Sequence, residues 1–129
     1  CTKVGSHSLR PFPHLAANEV GNCEKALQNV AALEVDPFGT LWVVDSGTSS
    51  IFSRPFKKCA AKLVRIDLNH PDPQLEVFHR FASEVITDKS VIMHLVMDRT
   101  HFYMSDIVQG TIIVLHRETQ RQGVLKPIP

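Results

Sequence analysis

The chain has 129 residues, with 14 lysines and arginines against 13 aspartates and glutamates and a formal charge of +1. That balance leaves no basic footprint for nucleic acid or an anionic membrane, and no apolar run approaches the ~18 residues of a spanning helix. Apolar residues make up 43% of the chain, which allows a packed core and excludes global disorder.

Residues 1–22 read as loop, because Gly5, Pro11, Pro13 and Gly21 punctuate apolar residues that lack a period. Phe12 and Leu15 are expected to pack onto a neighbouring element. Glu24–Ala32 has the composition of a short helix. Val30–Val35 reads as a strand closed by Asp36-Pro37-Phe38-Gly39, whose proline and glycine suit a tight reversal. Leu41–Asp45 is β-branched and aromatic, hence a buried strand. Ser46–Ser50 breaks it, and 51–61 is a longer loop whose Lys57 and Lys58 suit solvent. Lys62–Leu68 and Leu75–Phe81 alternate apolar with polar residues, the pattern of half-buried strands, with a proline turn at 69–73 between them.

A second set of strands follows: Val91–Met97, Phe102–Asp106, Thr111–Arg117 and the beginning of a fourth at Val124-Leu125. It repeats the first. Leu33-Glu34-Val35-Asp36 recurs 62 residues on as Leu95-Val96-Met97-Asp98, and Trp42-Val43-Val44-Asp45 recurs 61 on as Tyr103-Met104-Ser105-Asp106. Leu63–Ile66 recurs only 49 residues on as Ile112–Leu115, which marks the loop around Cys59 as an insertion in the first set. Four short strands per repeat is the pattern of propeller blades. A single small β-sandwich or barrel of seven or eight strands is the alternative. Two blades leave faces and edges uncovered. The chain also opens at Cys1 without an initiator Met or signal pattern and stops at Pro129 without a closing element. Both features give the expectation of a piece from a longer protein.

Three cysteines, Cys1, Cys23 and Cys59, permit one disulfide and one leftover thiol, or three reduced thiols. No C-x-x-C, H-x-H or H-E-x-x-H spacing supports a metal centre. Asp45-Ser46-Gly47 is not a nucleophile elbow, and no triad order can be built around Ser46.

The segment from Ala32 to Gly47 resembles the central signature of the Yellow/major royal jelly protein family, close to V-x-V-D-x-x-G-R-L-W-V-L-D-S-G, with Thr40 where the family usually has Arg. Leu9-Arg10-Pro11-Phe12-Pro13 resembles the family's proline-aromatic-proline segment. Cys59 to Leu68 resembles its C-x-x-K-L-x-x-F-D-L, and His94–Asp98 with Tyr103–Asp106 resembles its D-L-V-V-D followed by Y-I-x-D. The resemblance runs from about Leu9 to Arg117. It implies an all-β fold, a β-propeller segment of about two four-stranded blades from a six-bladed ring. On that reading 1–27 is a lead-in segment, 28–83 the first blade and 84–129 the second, incomplete one. It further implies secretion, an extracellular location, and a Cys23–Cys59 disulfide that leaves Cys1 over.

Asp36 and Asp98 end first strands, and Asp45 and Asp106 end second strands. Such carboxylates usually fix turns by accepting backbone N–H groups. Asp45, Asp106 and His94, which stands where the family commonly has an acid, are the candidate ligand-binding residues. Trp42 and Tyr103 occupy matching positions and are expected to pack between blades. Related calcium-dependent lactonase propellers carry an oxygen ligand just before the inner strand. Ala31 and Met93 stand at those places, so no metal and no cofactor are expected from these two blades. No catalytic residue can be assigned. The resemblance implies a small aromatic amine or catechol-derived ligand, with the remaining blades of the same chain as partners. The alternatives are a dopachrome-converting isomerase of melanin formation, or a structural or nutritive protein without catalysis.

Overall fold

The computed structural model describes residues 2–4, 7–48 and 59–126. Cys1, Lys57 and Lys58 lie outside the described residues. Strands β1 (Thr2–Val4) and β2 (His7–Leu9) pair antiparallel, and a single 3-10 turn follows at Leu15–Asn18. Two four-stranded antiparallel sheets make up the rest. The first is the meander β3 (Val30–Val35), β4 (Thr40–Asp45), β5 (Lys62–Asp67) and β6 (Leu75–Arg80). The second is β7 (Ile92–Met97), β8 (His101–Asp106), β9 (Thr111–His116) and β10 (Gln122–Leu125). Within each four-stranded sheet every strand pairs with its neighbour in sequence, so neither sheet contains a crossover.

The core lies between the sheets, and period-two alternation decides which residues reach it. Trp42, Val44 and Leu63 of the first sheet meet Leu95, Phe102, Met104, Ile113 and Leu115 of the second, all at most 4% exposed. The aromatic residues interlock. The Trp42 ring lies 4.7 Å from Phe102 and 5.0 Å, edge on, from Phe78. Burying each such side chain stabilises by about 1.5–3 kcal/mol. At the rim, His79 bridges to the next sheet through Gln120 and Gln122 at 3.0 and 3.3 Å. The other face of the first sheet gathers Val43, Val64 and Ile66 with Leu27, Leu41, Leu75 and Val77. The other face of the second sheet is open, with Val96 57% and Leu125 59% exposed.

Five expectations are corrected. Residues 1–22 are not loop throughout, since β1 and β2 pair within them. Glu24–Ala32 is not a helix: it forms turns and then enters β3. The chain is held there by longer-range bonds, since the Gln28 and Asn29 N–H groups donate to Asp45. Phe12 and Leu15 are exposed, and Ala17 is the residue of this stretch that is buried. Strand β5 is buried on both faces, Lys62 included, because segment 23–26 covers its start. Tyr103 is half-exposed and faces away from the core between the sheets. Its neighbours Phe102 and Met104 take the inward positions.

Inner strands β3 and β7 lie side by side. Each carries a bulge at the same repeat position. Ladder pairing skips Ala31 between Val30 and Ala32, and skips Met93 between Ile92 and His94. A bulge turns one side chain out of the pleat and bends the strand locally.

Candidate functional site

The two bulges border a cavity of about 90 Å³ at the N-terminal ends of β3 and β7, whose lining includes Asn29, Ala31, Ser46, Ser90, Val91 and Met93. The bends fix where Ala31 and Met93 stand, and the strand-ending aspartates fix the backbone around them.

Asp45 is fully buried. Its Oδ1 accepts from the N–H groups of Asn29 and Gly47, both at 2.9 Å, and its Oδ2 accepts from Gln28 N–H at 2.8 Å. Lys62 completes the set, with Nζ 2.9 Å from Asp45 Oδ2 and both side chains at 0% exposure. The same ammonium donates to the carbonyls of Ala26 at 2.8 Å and Cys23 at 3.3 Å. This knot ties the lead-in segment to β4 and β5. The Cys23–Cys59 disulfide reinforces it across a sequence separation of 36.

Asp106 repeats only part of the arrangement. Its Oδ1 accepts from the N–H groups of Val91, Val108 and Gln109 at 3.1–3.2 Å. Thr111 pairs with it where Lys62 pairs with Asp45. Among the described residues no cation pairs with it, and Asp106 Oδ2 is buried with no hydrogen-bond partner there. His94 lies on the open face of the second sheet, with Nδ1 3.3 Å from Ser105 Oγ. Among the described residues no hydrogen bond or ion pair joins any two of Asp45, Asp106 and His94.

The cavity lining combines polar residues, Asn29, Ser46 and Ser90, with apolar ones. Ser46 Oγ donates to the Asn29 carbonyl at 3.3 Å, and Ser90 Oγ accepts from Thr87 N–H at 2.9 Å. Neither hydroxyl bonds to a histidine or carboxylate among the described residues, so neither is set up as an activated nucleophile. The arrangement offers hydrogen-bonding groups beside an apolar surface, a pattern that orients a small molecule. No group of three His, Cys, Asp or Glu side chains among the described residues is placed to hold a metal ion. Sequence reasoning missed Asn29 and Ser90, which precede the inner strands, and missed the burial of Lys62. The repeat alignment held only part of that signal: at its offset of 62 Asn29 falls on Val91, whose N–H bonds to Asp106 as that of Asn29 bonds to Asp45, and Ser90 falls on Gln28.

At the opposite ends of β3 and β7 the other two aspartates do close their turns. Asp36 Oδ1 accepts from Phe38 and Thr40 N–H, and its Oδ2 from Trp42 Nε1 at 3.0 Å. Burial raises the Asp36 carboxyl pKa, but the bonds from Trp42, Thr40 and Phe38 and the charge of Arg117 together hold it below the ordinary value. Asp98 Oδ1 accepts from Thr100 and His101 N–H at 2.8 and 2.7 Å and from the Thr100 hydroxyl, and its Oδ2 from Tyr103 Oη at 3.0 Å. Those backbone bonds, from Thr100 first and His101 next, lower its pKa to about 2. The same bond raises the Tyr103 phenol.

The family described as Major royal jelly protein matches residues 28–122. Major royal jelly protein 2 of Apis mellifera is 31% identical over 121 residues, covering 88% of this chain and 26% of that protein. Protein yellow of Drosophila guanche is 34% identical over 65 residues, covering 50% of this chain and 11% of the relative. Protein yellow of Drosophila melanogaster is 33% identical over 65 residues, 50% of this chain and 12% of the relative. The chain therefore spans about a quarter of the royal jelly protein's length and about a tenth of the yellow proteins'.

Proposed function

This chain belongs to the major royal jelly protein family, and we propose that it is part of a secreted, six-bladed propeller that binds a small aromatic amine in its central channel. In this reading 1–27 is the lead-in segment, and 28–83 and 84–129 are adjacent blades. The channel mouth is the cavity where β3 and β7 begin. The carrying observation is the pair of bulges at Ala31 and Met93, repeated at one position in both inner strands and bordering one cavity. Asp45 and Asp106 hold the backbone of that rim, and His94 adds a polar group to the face that meets the next blade. A cavity of about 90 Å³ holds only an edge of a ligand, so the remaining blades supply the rest of the pocket. The disulfide supports an oxidising, extracellular location. No helix among the described residues is long and apolar enough to cross a membrane.

The test is calorimetric titration of the full-length protein with a panel of aromatic amines, beside an assay for dopachrome conversion. Saturable amine binding that weakens at least tenfold in Ala31→Arg, without turnover, supports a carrier. Turnover moves the protein to the isomerase class. Neither binding nor turnover leaves a structural or nutritive role.

A further inference from the structure

The end of the inter-sheet seam opposite the channel mouth carries a second, larger cleft of about 630 Å³. Pro37 and Phe38 of the β3–β4 turn form one wall, and Met97, Asp98, Arg99 and Arg117 of the second sheet form the other. Phe38 is 82% exposed at the turn tip, an unusual place for a phenyl ring with no packing role. Both walls belong to sheets that are in contact with each other.

Its charges are unequal in what they can still bind. Each oxygen of Asp36 and Asp98 already accepts at least one hydrogen bond, from turn N–H groups and from the Trp42 and Tyr103 side chains. The arginines are not filled. Arg117 is fixed in place: its guanidinium lies 5.0 Å from the Phe102 ring centroid and 5.4 Å from that of Trp42, and Nη1 donates to the Asp98 carbonyl at 3.0 Å. Stacking of this kind orients the planar fork, and among the described residues its remaining N–H donors have no hydrogen-bond partner. The Asp36 carboxylate faces it electrostatically without bonding to it. Arg99 makes no hydrogen bond or ion pair among the described residues. Neither arginine takes part in the two salt bridges found there. Satisfied acceptors beside unsatisfied donors favour an incoming anion, and guanidinium groups match the geometry of a carboxylate.

We propose that this cleft binds a small aromatic carboxylate, with its ring against Phe38 and Met97 and its carboxylate between Arg99 and Arg117. The site is separate from the amine site at the channel mouth and does not rest on it. A cleft of this volume lies in the range that encloses a two-ring ligand.

The experiment uses two probes with the same ring and opposite charge, indole-3-acetate and tryptamine, titrated calorimetrically into the full-length protein. Indole-3-acetate is expected to bind saturably, more weakly as salt rises, and tryptamine is expected not to displace it. Arg117→Gln and Arg99→Gln are each expected to weaken binding at least tenfold. Arg99→Gln carries the test if Arg117→Gln fails to fold, because Arg99 has no bond to lose. Arg121→Gln, outside the cleft, and Ala31→Arg, at the channel mouth, are expected to leave indole-3-acetate affinity unchanged. Absence of binding, equal affinity in Arg99→Gln, or displacement by tryptamine would overturn the proposal.

Discussion

Replacing Lys62 by Met removes a buried ammonium and keeps most of the side-chain volume. The change leaves Asp45 at 0% exposure with three backbone N–H donors and no countercharge, and removes the donor to the Ala26 carbonyl. Breaking one partner of a buried pair costs about 3–5 kcal/mol, mostly from stranding the other charge. Asp106 is an internal precedent. It has three backbone donors and, among the described residues, no cation, so the fold tolerates that state at a cost, which points to the lower end of the range. Adding Asp45→Asn to Lys62→Met removes the stranded charge and should recover part of the loss, for a coupling of about 1.5–3 kcal/mol. Urea unfolding of the full-length protein, with the slope checked for each variant, reads both quantities. A loss below about 1 kcal/mol for Lys62→Met, or strict additivity in the double variant, would refute the assignment of this pair as the knot of the first sheet.

The converse change, Thr111→Lys, gives Asp106 the partner it lacks and should raise the melting temperature; a fall would show that the second sheet cannot admit the ammonium. Cys23→Ser opens a covalent loop with a sequence separation of 36 and should cost about 2–4 kcal/mol and lower the secreted yield, so an unchanged melt and yield would count against the disulfide's role. Gly47 has φ +71° and a Cβ there would collide with the Cys59 carbonyl, whereas Gly110 has φ +64° and open space around it. Gly110→Ala should cost about 1–2 kcal/mol and Gly47→Ala clearly more, a ranking that thermal melts of the two variants can reverse. Asp98 has a folded pKa of about 2 against 3.8 for an ordinary aspartate, so the folded state takes up its proton at lower pH than the unfolded state. Its contribution is complete above about pH 4 and lost as pH falls toward 2. Asp98→Asn should therefore flatten acid unfolding in that window, and an acid titration identical to wild type would contradict the turn's electrostatics.

The strands were legible from two signals: a β-branched and aromatic run, as in Leu41–Asp45, and apolar–polar alternation, as in Lys62–Leu68 and Leu75–Phe81. The repeat of Asp36 at Asp98 and of Asp45 at Asp106 likewise foretold four turn carboxylates, and all four accept N–H groups as that reading requires. Lys62 was not legible. Alternation assigns a residue to a face but says nothing of what covers that face, and its cover is a segment 36–39 residues earlier in the chain. Glu24–Ala32 misled for the same reason: local composition favoured helix, and bonds to Asp45 outweighed it. The Ala31 and Met93 bulges left no mark in composition, since a bulge is a property of pairing between strands rather than of one strand. Arg117 looked like the end of a strand, and only the packing of the two sheets brings it over Trp42 and Phe102.

The most direct test of the central claim is a crystal structure of the full-length protein soaked with an aromatic amine. The account predicts amine density beside Ala31, Ser90 and Met93 at the start of the inner strands, with a third sheet covering Val96, Tyr103 and Ile112. A closed ring with no amine density at that end, or an open face on the second sheet, would contradict it.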